Sequence, residues 1–551
     1  MIPSQDRSRG TAVLALALLL VGCADEDDSA DRLAEASFDP VVPLTVADVS
    51  CVVQAAANAV DDPNLTVAVV DRAGNVLAAW RRNPLTTEVD LNKAVAIARS
   101  AAFLSSSQGP LTSRTLEYIS TFHFPPAFDD VEPRSFPTLV PQRVTTGVAN
   151  TPQGPLWQIF TSNRGAPLAR PGLTVPETVY APGMEVPPAT NIDGSTPGPG
   201  LGYLPGGIPL YKPGLPAELG ARGMLRVVGG VGCYSADPSG SPSVRQLDTM
   251  EFAALEAATA SGTLCDPFNF PGIPDEGAIF LVGVPLPYVE QSRRPPGVGP
   301  GIFDAAGYVV APSAGDAAPF GWLIEARADP LGNLSEADVR RIVEQGIDTA
   351  NGTRAAIRLP LGSTTRMIFA VCNLDGLVLG VFRMEDAPLF SLDVSVTKAR
   401  TVVYFSGPDL APEDRIPGVP LGTAITTRTL GFLTQPAYPP TIDGRPPGAL
   451  ESVARTNEDP ARFDRMGNAP PAPGLQSGLI FFPGAAPLYD GAGRLIGGVG
   501  VSGDGVEEDD FVTAGAVPGF EPPPEIRADQ FRVDGARLPY FKFPQVPGPG
   551  R

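Results

Sequence analysis

Residues 44–262 and 334–545 follow one plan twice, and a repeat of this length requires that the fold adopted by one copy also suit the other. Each copy opens with an apolar residue and a capping box, Leu44-Thr45-Val46-Ala47-Asp48 and Leu334-Ser335-Glu336-Ala337-Asp338. A hydroxyl at the N-cap and a carboxylate three residues on satisfy amides that a helix start leaves unpaired, so both segments predict helices. Val49, Val52, Val53 and Ala56, and again Val339, Ile342, Val343 and Gly346, recur at helical spacing and give each helix one buried face. A hairpin follows: Thr66 to Val70 and Met367 to Cys372 run into turns containing Gly74 and Gly376, and Val76 to Trp80 and Leu377 to Phe382 return.

A second helix carries Ala98-Arg99-Ser100-Ala101 in one copy and Ala399-Arg400-Thr401-Val402 in the other. Beyond it, Thr112-Ser113-Arg114-Thr115-Leu116 matches Thr426-Thr427-Arg428-Thr429-Leu430. The last strands pair Gly207-Ile208-Pro209-Leu210-Tyr211 with Val228-Gly229-Gly230-Val231-Gly232, and Ala486-Pro487-Leu488-Tyr489 with Ile496-Gly497-Gly498-Val499-Gly500. Adjacent glycines inside a strand mark a bulge or a close backbone approach. Glu251-Phe252 and Asp510-Phe511 are expected to begin a terminal helix in each copy. Hairpin-joined strands make antiparallel sheets, and the helices around them make an α+β layer fold.

The amino terminus has the pattern of an export signal. Arg7 and Arg9 precede an apolar run, Thr11 to Val21, too short for a permanent membrane span and ending in Leu20-Val21-Gly22-Cys23. This resembles a lipobox, which makes Cys23 the lipidated residue and residues 1–22 a lipoprotein signal peptide, with 23–43 an acidic tether. The expected location is the bacterial cell envelope, at the outer membrane, with the lipid as the sole membrane contact. A formal net charge of −20 repels phosphate backbones and excludes nucleic acid as a partner. Glycine (60) and proline (63) are abundant enough to supply long insertions, Pro125 to Pro205 and Pro436 to Pro473, between compact parts. Residues 263–333 are expected to link the two copies. Cys51, Cys233, Cys265 and Cys372 allow three disulfide pairings, among which spacing does not choose.

Gly498-Val499-Gly500-Val501-Ser502-Gly503-Asp504, preceded by Pro487-Leu488-Tyr489 and by Lys398-Ala399-Arg400-Thr401, resembles the GlcG/HbpS family, also called DUF336 or haem-degrading. Copy one departs from it, with Cys233-Tyr234-Ser235 against Val501-Ser502-Gly503. The resemblance implies two tandem profilin-like α/β/α domains that pair within the chain and can form a homo-oligomer. It also implies haem, a related tetrapyrrole or a small acid as ligand.

The chemistry available to any site is narrow because His123 is the only histidine. It is an axial haem ligand or a loop residue packed between Phe122 and Phe124. Arg99, Arg114, Arg400 and Arg428, with Thr115 and Thr429, recur at matched positions. A guanidinium holds a carboxylate or propionate through two hydrogen bonds, and it equally caps backbone carbonyls. The run Glu507-Glu508-Asp509-Asp510 has no calcium-loop spacing and is expected to be a solvated helix start. No nucleophile and base pair or metal ligand set is recognisable, so a binding protein is expected before an enzyme. The alternatives are an interaction module using its proline-rich insertions and a haem-degrading enzyme.

Overall fold

The computed structural model describes residues 43–72, 74, 76–86, 88–121, 123–124, 150–157, 201–202, 204–213, 225–235, 242–260, 279–281, 284–304, 309–310, 324–455 and 479–544. The signal peptide, Cys23, Cys265, most of the first proline-rich insertion and residues 456–473 of the second lie outside them.

The first lobe runs α1 (Val46–Ala59), β1 (Thr66–Asp71), β2 (Val76–Arg81), α2 (Glu88–Leu104), α3 (Ser113–Ile119), β3 (Gly207–Pro213), β4 (Leu225–Tyr234) and α4 (Val244–Thr259). Short strands β5 (Phe280–Leu281), β6 (Val284–Pro285) and β7 (Val309–Val310) follow. The second lobe runs α5 (Glu336–Asn351), β8 (Ile368–Cys372), β9 (Val378–Arg383), α6 (Ser391–Ser406), α7 (Thr427–Leu433), α8 (Glu451–Arg455), β10 (Ala485–Tyr489), β11 (Leu495–Ser502) and α9 (Val506–Ala516). Both capping boxes form, with Thr45 and Ser335 as the N-caps and Asp48 and Asp338 closing them.

The sheets are antiparallel, in the spatial orders β3-β4-β1-β2-β7 and β10-β11-β8-β9. Matching hairpins carry matching irregularities: the register shifts between Leu210 and Tyr211 on β3 and between Leu488 and Tyr489 on β10. Alternate residues of a strand face opposite sides of the sheet, and the strand glycines use this alternation. A Cβ on Gly230 or Gly232 would strike carbonyl oxygens of α2, and one on Gly498 or Gly500 those of α6. On the opposite face, Gly229 approaches Leu44 and Gly497 approaches Leu334, at the starts of α1 and α5. Each sheet therefore lies between helices.

Residues 263–333, expected as a linker, contribute directly to both lobes. β7 adds an edge to the first sheet beside Ala78 and Ala79, and Ile324 bridges to Val381 at the edge of the second. Thr112 and Thr115 donate to the carbonyls of Tyr288 and Pro287, as Thr426 and Thr429 do to those of Tyr540 and Pro539. Leu286-Pro287-Tyr288 thus holds the place in the first lobe that Leu538-Pro539-Tyr540 holds in the second. The terminal helices also differ from expectation, because they begin before Glu251 and Asp510: α4 is capped by Ser243, and α9 starts after Gly505.

One core belongs to both lobes. Leu104, Leu111, Leu116 and Leu286 pack in the same buried cluster as Phe390, Val394, Ile480 and Phe482. Cys51 is disulfide-bonded while Cys233 and Cys372 are buried free thiols, which removes a Cys233–Cys372 pairing. Among the described residues no helix is long and apolar enough to cross a membrane.

The helix-on-strand contact sets a stability expectation. Gly500→Ala would push a methyl into the Ser395 carbonyl and should cost about 1–3 kcal/mol, whereas Gly491→Ala meets nothing within 4 Å and should be near neutral. Denaturant melts of the two variants check this, and equal midpoints would contradict it.

Candidate ligand cleft between the two lobes

One buried ion pair separates the second lobe from the first. In the first lobe, the α2 position next to Ala98 is Ile97, and the α4 position before Glu251 is Met250. The corresponding second-lobe residues are Lys398 on α6 and Asp509 on α9. The correspondence is spatial as well, because a Cβ on Gly206 would meet Met250 and one on Gly484 would meet Asp509 and Lys398. Gly206 and Gly484 each bind the following strand through their carbonyls, to the amides of Cys233 and Val501.

Lys398 Nζ donates to Asp509 Oδ2 at 2.8 Å and to the Val501 carbonyl at 2.8 Å. Burial lowers the Lys398 pKa against the pull of Asp509, and burial raises the Asp509 carboxyl to about 7 despite Lys398. Asp504, just beyond β11, accepts from Arg358 Nε at 2.5 Å and from the Arg366 amide at 2.7 Å. Its pKa is raised by burial, against the opposing effect of Arg358. Arg358 is fully buried and also donates to Asp386 Oδ2 at 2.7 Å and to Gln108 Oε1 at 3.3 Å, joining the lobes. Glu508 is likewise buried, and loss of water raises it to about 7. The acidic run expected to be solvated is therefore a helix start with Glu508, Asp509 and Asp510 inside the protein.

These residues border a cleft of about 590 Å³, part of which is open to solvent. The second lobe supplies Lys398, Ser502, Gly503, Asp504, Gly505, Val506 and Asp509, together with Ile357, Phe390 and Phe482. Leu104, Leu111, Ile119, Leu156, Leu281 and Leu286 of the first lobe face them. One wall is apolar, and the other ends in buried carboxyl groups.

None of the expected ligand-binding residues lines this cleft. Arg99 and Arg400 are buried, and each donates through Nε to a hairpin-turn carbonyl, Gly74 at 2.9 Å and Gly376 at 2.8 Å. Desolvation lowers both guanidinium pKa values to about 10. Arg114 pairs with Glu251 and Glu290, and Arg428 with Asp510 at 2.6 Å. Glu251 and Asp510 in turn accept from the Glu290, Gln291 and Lys542 amides, so each arginine helps fasten the segment after a Leu-Pro-Tyr triplet. The Thr115 and Thr429 amides donate to the capping hydroxyls of Thr112 and Thr426, and their own hydroxyls donate to the Pro287 and Pro539 carbonyls of the same triplets. His123 is buried, with Nδ1 3.3 Å from the Thr151 carbonyl and Nε2 3.4 Å from Asp443.

Haem does not fit the cleft residues. Among the described residues no histidine, cysteine, tyrosine or methionine lines the cleft to take an axial position on iron, and the one cation among those that line it, Lys398, already serves Asp509.

Residues 334–517 match the family model described as haem degrading protein HbpS-like. This segment is HbpS-like. It contains Lys398, Asp504 and Asp509, and thus the whole polar wall of the cleft. Among curated proteins nothing matches the chain. Similar solved structures include a PduOC:heme complex, at 20% identity over 34% of this chain and 95% of that one, TM-score 0.21. Klebsiella pneumoniae ORFY, a DUF336 protein, is 21% identical over 34% of this chain and 90% of its own, TM-score 0.22. A double mutant of Streptomyces reticuli HbpS is 17% identical over 38% and 97%, TM-score 0.20.

The raised carboxyls fix the sign of a pH effect. Glu508 ordinarily titrates near 4.5 and is held near 7 when folded, so the folded state keeps a proton that the unfolded chain releases. Its contribution is full below the unfolded value and is lost as pH rises through the folded one. Thermal melts from about pH 5 to about pH 8 should show falling stability, and Glu508→Gln should flatten the slope. A slope unchanged in the variant would contradict the assignment.

Proposed function

We propose that this chain is an HbpS-type binding protein that holds one small, largely apolar ligand in the cleft between its lobes. The cleft carries this reading: an apolar first-lobe wall faces a polar wall built from the HbpS-like segment. Apolar lining with a few placed polar groups is the usual composition of small-molecule sites. The lobes are tandem profilin-like domains, as their matching strand orders, bulges and Leu-Pro-Tyr contacts support. The first lobe has Ile97 and Met250 where the second has Lys398 and Asp509, so the chain has one working site. The protein is exported and lipidated on Cys23, a reading supported by the lipobox pattern Leu20-Val21-Gly22-Cys23.

A second reading, haem as the ligand, is supported by the family match alone. A small acid is disfavoured, because an anionic head would face Asp504 and Asp509.

Titration with Nile red, a neutral dye whose emission rises in apolar surroundings, should saturate at one dye per chain. Leu111→Trp, which fills the apolar wall, should weaken binding at least about tenfold with an unchanged circular dichroism spectrum. Unsaturable binding, or binding indifferent to the substitution, would overturn the cleft as the site. Haemin added to the same protein should leave the Soret band at its free position; a saturable shift would establish the second reading.

A further inference from the structure

The polar end of the cleft holds two buried carboxyl oxygens without a donor. Asp504 and Asp509 are almost completely buried, and both border the cleft. Each has its Oδ2 atom hydrogen-bonded and its Oδ1 atom without a hydrogen-bond partner. Buried acceptors without partners are uncommon in folded proteins, and each calls for an explanation. Around them the carboxyl groups of Asp386, Asp504, Glu508, Asp509 and Asp510 gather about Arg358, Lys398 and Arg428, so acidic groups outnumber basic ones.

The fold does not require these charges. The first lobe builds the same sheet order with Ile97 and Met250 in the places of Lys398 and Asp509. Buried ion pairs are often replaceable by apolar residues at no cost in stability, so a pair retained in one lobe and absent from the other points to a task other than folding.

We infer that the cleft recognises an amphipathic amine, with its hydrocarbon body against Leu104, Leu111 and Leu286 and its ammonium group donating to Asp504 and Asp509. An ammonium supplies three N–H donors, which the two Oδ1 atoms lack, and a positive charge beside the carboxyl groups, while the leucines exclude water from the same contact. A carboxylate head would add a further anion and no donor. A hydroxyl would supply one donor and no charge. This inference rests on the cleft being the binding site, and it adds the class of head group.

Calorimetric titration of the full chain with hexylamine, hexanol and hexanoate at neutral pH compares three heads on one body. Hexylamine should bind at one per chain and at least about tenfold tighter than hexanol, with no measurable binding of hexanoate. Asp504→Asn should reduce this preference at least about tenfold. Because loss of that carboxylate can unsettle Arg358, the paired substitution Lys398→Ile with Asp509→Met, which copies the first lobe, provides a second variant. It should fold and bind hexylamine and hexanol within about threefold of each other. Hexanol binding as tightly as hexylamine, or hexanoate binding at least as well, overturns the inference and leaves the cleft in place. A preference that survives in folded forms of both variants overturns it as well. Absence of binding by all three probes, with Nile red also unbound, overturns both the inference and the cleft.

Discussion

Helix α6 lies on strand β11 with no side chain between them at Gly498 and Gly500. Every other placement in the second lobe follows from that contact. It sets α6 at a depth where Lys398 reaches both the Val501 carbonyl and Asp509, and it turns Arg400 onto the β8–β9 hairpin. The first lobe uses the same contact between α2 and Gly230 and Gly232, with Arg99 reaching its own hairpin. A rigid seat for this helix allows the residue facing the cleft to vary: isoleucine at 97 and lysine at 398 occupy equivalent positions on one scaffold.

Much of the architecture was legible because its signals are local. Capping hydroxyls, hairpin turns and strand glycines each act within a few residues of themselves, and the structure places them where the repeat predicts. The matched arginines were also visible, but matching residues report what the two lobes share, and what they share is the means of holding themselves together. The positions that define the cleft are those where the copies differ. A comparison directed at differences would have found Lys398 between Thr397 and Ala399 on an otherwise buried helix face, opposite Ile97 in the first copy.

The acidic run at Glu507–Asp510 misled for a different reason. Four consecutive carboxylates pattern as solvated surface, and nothing within the run indicates that Lys398, Arg428 and Lys542 arrive from three separate segments to meet them. Burial of those acids is a tertiary property. The first Leu-Pro-Tyr triplet stands in a stretch with the composition of a connector, yet its backbone carbonyls are what Thr112 and Thr115 bind.

The walls of the cleft are drawn from Leu104 at one extreme and Asp509 at the other, joined by one backbone. Two separate subunits making such a site would lose it on dilution below their dissociation constant. Here the facing surfaces remain at the same local concentration however sparse the protein becomes. A single cut between the lobes would remove that protection.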